Sequence, residues 1–140
     1  MDIIDSRDYV DKAEAVISSL IQEAKQKKKQ KRGMRHENDY DILTTTQLRK
    51  QISMTAELFT QAEKDSSDLL SQELIDKIEY LRVQFVYQAG RDPLVKDFVD
   101  KAGILLILKT IKGKREDFLI FCRYMEALVA FRKYLGNVDK

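Results

Sequence analysis

Arg49 and Lys50 follow closely on three threonines and a glutamine in the stretch ILTTTQLRKQ, residues 42 to 51. The threonines and Gln47 have the pattern of a helix start, where unpaired amides carry partial positive charge and favour anions. Two cations beside such an end raise the question of what negative group is held there. Both point off the buried face, however, and the dipole effect fades after the first turn, so the helix start does not choose between solvation and function. Further along, Lys77, Arg91 and Lys96 fall on solvent sides of expected helices, with Tyr80 and Tyr87 interleaved and Arg82 at the margin of an apolar face. Side chains of this kind hold a phosphate backbone through charge, giving sequence-independent affinity that falls steeply with salt. A third group is the tract KQKKKQKRGMR, residues 25 to 35, where Lys25, Lys27, Lys28, Lys29, Lys31, Arg32 and Arg35 occur without an acid. The chain has 25 Lys and Arg against 23 Asp and Glu, so outside this tract it is net negative. The tract is expected to meet something anionic, although a solvated loop has the same composition. Arg82 has a bland reading too, a stem laid along the core with its head in water.

Other chemistry is poorly provided for. His36 is the one histidine, and it lies in the polar stretch RHEND. A Ser–His–Asp or Cys–His arrangement would need it in a rigid setting, which such a segment does not supply. His36, Glu37, Asp39 and Asp41 match no metal-ligand spacing. There is no Gly-rich phosphate loop and no CxxC pair, and Cys122 falls on an apolar face as a small core residue. The expectation is a binding protein with no catalytic residues, no metal and no cofactor.

The elements that must position the cations are helices. One proline and five glycines in 140 residues leave too few chain reversals for a strand-and-turn protein. The length predicts one domain, and a chain this long buries roughly two-thirds of the surface it exposes when unfolded. A single cysteine suits a reducing compartment. The start MDIIDSRD lacks the layout of a signal peptide, and the apolar run ILLIL is too short to cross a bilayer. A cytoplasmic protein without membrane association is therefore expected.

The spacing predicts an all-α, compact bundle of about five helices. A first helix starts near Ser6 or Arg7, with Val10, Ala13, Ile17, Leu20, Ile21 and Ala24 as its apolar stripe, and gives way to a basic flexible link at about 25–41. A second begins after Thr44, which forms a capping box with Gln47, while Leu43 and Leu48 form a hydrophobic staple. Leu48, Ile52, Phe59 and Ala62 mark its buried face, with Thr55 between them. A third runs from about Ser71 to Ala89 on Leu74, Ile78, Leu81, Phe85 and Ala89, flanked by Ile75 and Val86. Gly90 is expected to close it in a left-handed conformation, with Asp92 and Pro93 opening the next. That fourth helix carries Leu94, Val95, Phe98, Val99 and Ala102 and breaks at Gly103, after which ILLIL continues as a short helix. A last helix from about Arg115 to Leu135 buries Phe118, Phe121, Cys122, Met125, Leu128 and Val129.

The blocks ILTTTQLRKQISM, KIEYLRVQFVYQAGRDPLVKDFV and FCRYMEALVAFRKYLG resemble the small helical subunit of the type III-A CRISPR effector, the Csm complex. The likeness spans about residues 42 to 135, and its most specific parts are the GRDP corner and YMEALVAF. Gln84 departs from it, standing where another basic residue is expected. The resemblance implies a helical bundle without nuclease activity, stacked head to tail with its own copies beside the guide RNA. Backbone and large subunits would be its partners, and the guide–target duplex its ligand. Arg49, Lys50, Lys77, Arg82, Arg91 and Lys96 would then face RNA, with Lys27, Lys28, Lys29, Lys31, Arg32 and Arg35 as an auxiliary basic arm. Charge alone allows a rival: a helical adaptor whose basic segment docks on an anionic membrane or an acidic protein.

Overall fold

In the computed structural model, which describes residues 4–32 and 40–137, six helices follow one another: α1 (Tyr9–Arg32), α2 (Thr45–Lys64), α3 (Gln72–Arg91), α4 (Pro93–Ala102), α5 (Ile104–Thr110) and α6 (Arg115–Leu135). The fold is all-α, and the break expected at Gly103 makes α4 and α5 distinct helices, so the described residues hold six helices rather than about five. Their break is Gly103, which adopts φ 68° and turns the chain. α6 packs mainly on α1 and α2, and α3 mainly on α4, α2 and α5. Their shared core includes Phe85, Phe98, Phe118 and Phe121. Phe85 meets Phe121 edge to face at 6.5 Å, and Phe118 stacks on Phe121 at 6.2 Å. Among the described residues the one β-type pairing is the isolated antiparallel bridge between Leu69 and Lys114, which ties the α2–α3 loop to the α5–α6 loop.

The structure departs from the sequence reading at several points, each with a physical cause. α1 continues to Arg32, through the first part of the stretch read as a link. Lysine, glutamine and arginine are good helix formers, and cations suit a helix C-terminus, so the end of apolar periodicity does not end the helix. Residues 33–39 of that stretch, His36 and Arg35 among them, lie outside the described residues. Val10 is 44% exposed, because the packed face at the start of α1 is carried by Tyr9, Ala13 and Val16. On α2 the fully buried positions are Thr45, Leu48, Gln51, Thr55, Leu58 and Ala62, while Ile52 and Phe59 are half-buried. The face is rotated slightly from the predicted one and includes two threonines and a glutamine. Val86 is exposed. Gly90 does not close α3 and has no positive φ. Pro93 forces the residue before it out of the helical region. The break therefore falls at Asp92 (φ −141°, ψ 117°), which ends α3 and caps α4.

Cys122 is buried, and burial pushes its thiol far above the usual range, as befits a core residue. Tyr124, also buried, donates its hydroxyl proton to the Ala102 carbonyl at 2.8 Å, satisfying the end of α4.

Candidate nucleic-acid interface

The start of α2 is built as its sequence requires. Thr44, extended at φ −74° and ψ 164°, accepts at Oγ1 from the Gln47 amide at 3.0 Å, and Gln47 Oε1 accepts from the Thr44 amide at 2.9 Å. Leu43 and Leu48 on either side are fully buried, as a hydrophobic staple demands. Gln47 has a second role that its cap signature did not reveal. Its Nε2 donates to Asp92 Oδ2 at 2.7 Å, while Asp92 Oδ1 accepts from the Leu94 amide at 2.9 Å. One amide and one carboxylate thus lock the first turn of α2 to the α3–α4 corner.

That lock gathers four of the expected cations at one end of the bundle: Arg49 and Lys50 on α2, Arg91 at the end of α3 and Lys96 in the first turns of α4, all exposed. They differ in how far the protein already occupies them. Lys96 Nζ donates to Asp100 at 2.8 Å, and this bond raises its pKa. The Arg91 guanidinium lies 5.5 Å from the Tyr87 ring, a cation–π contact. Arg49 and Lys50 make no ion pair with any described residue. No acid occupies the first turn of α2 and its cap is a neutral threonine, so the carboxylate beside that helix end comes from another element, Asp92, through Gln47.

Lys50 stands three, four and seven residues before Ser53, Met54 and Glu57, which form one wall of an α2–α3 groove of about 590 Å³. Lys77, Tyr80 and Gln84 form the other wall, and Tyr87 and Arg91 extend it by the same spacing. The groove's own lining holds one cation, Lys77, against Glu57, Glu73 and Asp76, and Lys50 and Arg91 stand outside it. Lys77 is paired with Glu73 at 3.3 Å. Arg82 is not part of this surface. It is half-buried, pairs with Glu79 at 3.0 Å, and lines a separate depression between α3 and α5 with Val83, Val86, Leu106 and Lys109.

The basic tract is engaged with the protein itself. Lys27 pairs with Asp97 at 3.6 Å and Lys28 with Asp41 at 3.4 Å, while Lys101 reaches back from α4 to Glu23. These contacts cross a groove of about 750 Å³ between α1 and α4, lined by charges of both signs. Lys29, Lys31 and Arg32 belong to the last turns of α1, and nothing is described of their side chains. No cluster of His, Cys, Asp or Glu suited to a metal occurs among the described residues, and none of their helices is long and apolar enough to cross a membrane.

Sequence reasoning missed Arg132. It lies four residues after Leu128 and seven after Met125, on the buried stripe of α6, and is 2% exposed. Its place on that stripe was the available signal.

The described residues form an all-α bundle with exposed cations beside a capped helix start. The family model for Csm2 of type III-A matches residues 14–137. The protein named "CRISPR system Cms protein Csm2" from Streptococcus thermophilus is 46% identical over 139 residues, covering 99% of this chain and all of that one. Its namesake from Mycobacterium tuberculosis is 48% identical over 109 residues, 78% of this chain and 88% of that one. The Enterococcus italicus protein of the same name is 31% identical over 121 residues, 85% and 86% of the two chains. The chain belongs to the Csm2 family, the small subunits of the type III-A CRISPR complex.

Proposed function

We propose that this subunit is a non-catalytic RNA holder in a cytoplasmic antiviral ribonucleoprotein. It stacks head to tail with its own copies, contacts the backbone and large subunits, and retains the guide–target duplex by touching phosphates and sugars. An assembly programmed by arbitrary guides gains nothing from a small subunit that reads bases, so charge and helix shape are the usable handles. Arg49 and Lys50 are the principal contacts, Arg91 and Lys96 flank them, and Lys77 extends the track along the α2–α3 groove. Arg82 and the basic stretch of α1 are auxiliary at most. The observation that carries this reading is the pair of exposed cations, unpaired among the described residues, beside a helix start with no acid of its own. The adaptor reading required an uncommitted basic arm, and the ion pairs of Lys27 and Lys28 count against it.

The test is Arg49→Glu combined with Lys50→Glu in the assembled complex, with target RNA retention measured across a salt series. Retention weakens, and the log–log salt slope falls by about 1 to 2. Circular dichroism is unchanged because both side chains are exposed. Equal retention by variant and parent would sink the site assignment.

A further inference from the structure

We infer that Arg132 and Asn137, at the end of α6, are positioning residues that aim the α2 start at its ligand; this rests on the reading above that Arg49 and Lys50 face RNA. Residues 40–43 lead into α2 outside any helix, so their carbonyls need partners from elsewhere. Those partners come from α6 and the residues just after it. Arg132 Nε donates to the Leu43 carbonyl at 2.8 Å, and Asn137 Nδ2 donates to the Tyr40 carbonyl at 2.9 Å. Arg132 also binds Asn137 itself, with Nη1 at 3.1 Å from its carbonyl and Nη2 at 3.4 Å from Oδ1.

The pocket is shaped for a guanidinium. A Cβ at position 136 would lie 2.3 Å from Arg132 Nη1 and 2.6 Å from the Arg132 carbonyl, so Gly136 is required for the chain to close over the fork. Burying a charged, planar group where an apolar side chain would fill the space is a poor way to gain stability. It is a good way to fix direction, because a fork bonds with set geometry. Leu43 immediately precedes the Thr44 cap, and Gln47 is held on the other side by Asp92. The first turn of α2 is therefore pinned at two points by two different parts of the bundle. Arg49 and Lys50, without partners among the described residues, take their aim from the helix that carries them.

A residue that acts through others gives a non-additive effect when those others are removed. The experiment places Asn137→Ala in the full chain, assembles the complex, and measures retention of a complementary target RNA in two backgrounds, parent and Arg49→Ala/Lys50→Ala. Amide exchange at Gln47 and Leu48 reports the helix start directly. Asn137→Ala weakens retention roughly threefold to tenfold in the parent, the size of a lost net hydrogen bond. It also speeds exchange at the two amides and causes no further loss in the doubly substituted background. Arg132→Lys, which keeps the charge and loses the fork, behaves alike where it folds, and Asn137→Ala carries the test where it does not. Equal losses in both backgrounds, or no loss in the parent, overturn the inference. Full retention by Arg49→Ala/Lys50→Ala alone would instead overturn the RNA-facing assignment on which it rests.

Discussion

Glu23 is exposed over about half of its side chain, yet its carboxylate is held below its usual pKa of 4.5, chiefly by the hydrogen bond from Lys101, with Ser19 and Lys27 adding to the effect. A carboxyl depressed in the folded chain binds fewer protons there than when unfolded. The α1–α4 contact therefore contributes stability above pH 4.5 that is lost as pH falls through the lower, folded value. The contribution is small because both partners are partly exposed and salt screens them. Urea unfolding of Glu23→Gln and the parent, compared from about pH 6 down to about pH 3.5, checks this. The gap between the two closes on acidification. A constant gap would mean that Glu23 acts through packing rather than charge.

At the scale of elements, α4 and α5 are one apolar stretch divided by a single left-handed residue. Gly103 has φ 68°, and a Cβ there would meet nothing within 4 Å. The cost of Gly103→Ala is therefore backbone strain alone, about 1 to 2 kcal/mol. It appears as a lower urea midpoint with an unchanged m-value; an altered m-value would show that the break itself had been lost. Gly90 looks equally apt as a helix terminator in AGRDP, yet it stays helical, because the proline two residues after Arg91 assigns the break to Asp92. The starts of α2 and α4 were legible because caps and prolines act on their immediate neighbours; a break at Gly103 was expected too, but the left-handed conformation it adopts was assigned to Gly90. The extent of α1 was not, since apolar spacing reports burial and says little about whether a lysine-rich run is helical. The cationic corner was half legible. Each cation could be placed on a solvent face, but the Gln47–Asp92 bond that groups four of them joins residues 45 apart in sequence. Arg132 was hidden for the same reason, its Leu43 partner lying 89 residues away.

Across the whole molecule, the Leu69–Lys114 bridge has a topological consequence. The Leu70 amide donates to the Gly113 carbonyl at 2.7 Å, and the Arg115 amide donates to the Asp68 carbonyl at 2.9 Å. Three helices, α3 to α5, leave and return through this one neck, while α1, α2 and α6 lie outside it. Hydrogen exchange is expected to release the Leu70 and Arg115 amides at a common rate, since both are freed only when the neck parts; widely different rates would show that the two bonds open separately. The excursion is a loop of chain with its ends already joined. The neck fixes how far α2 and α6 stand apart along the thread, while the Gln47–Asp92 bond and the Phe85–Phe121 contact hold the excursion itself against those two helices.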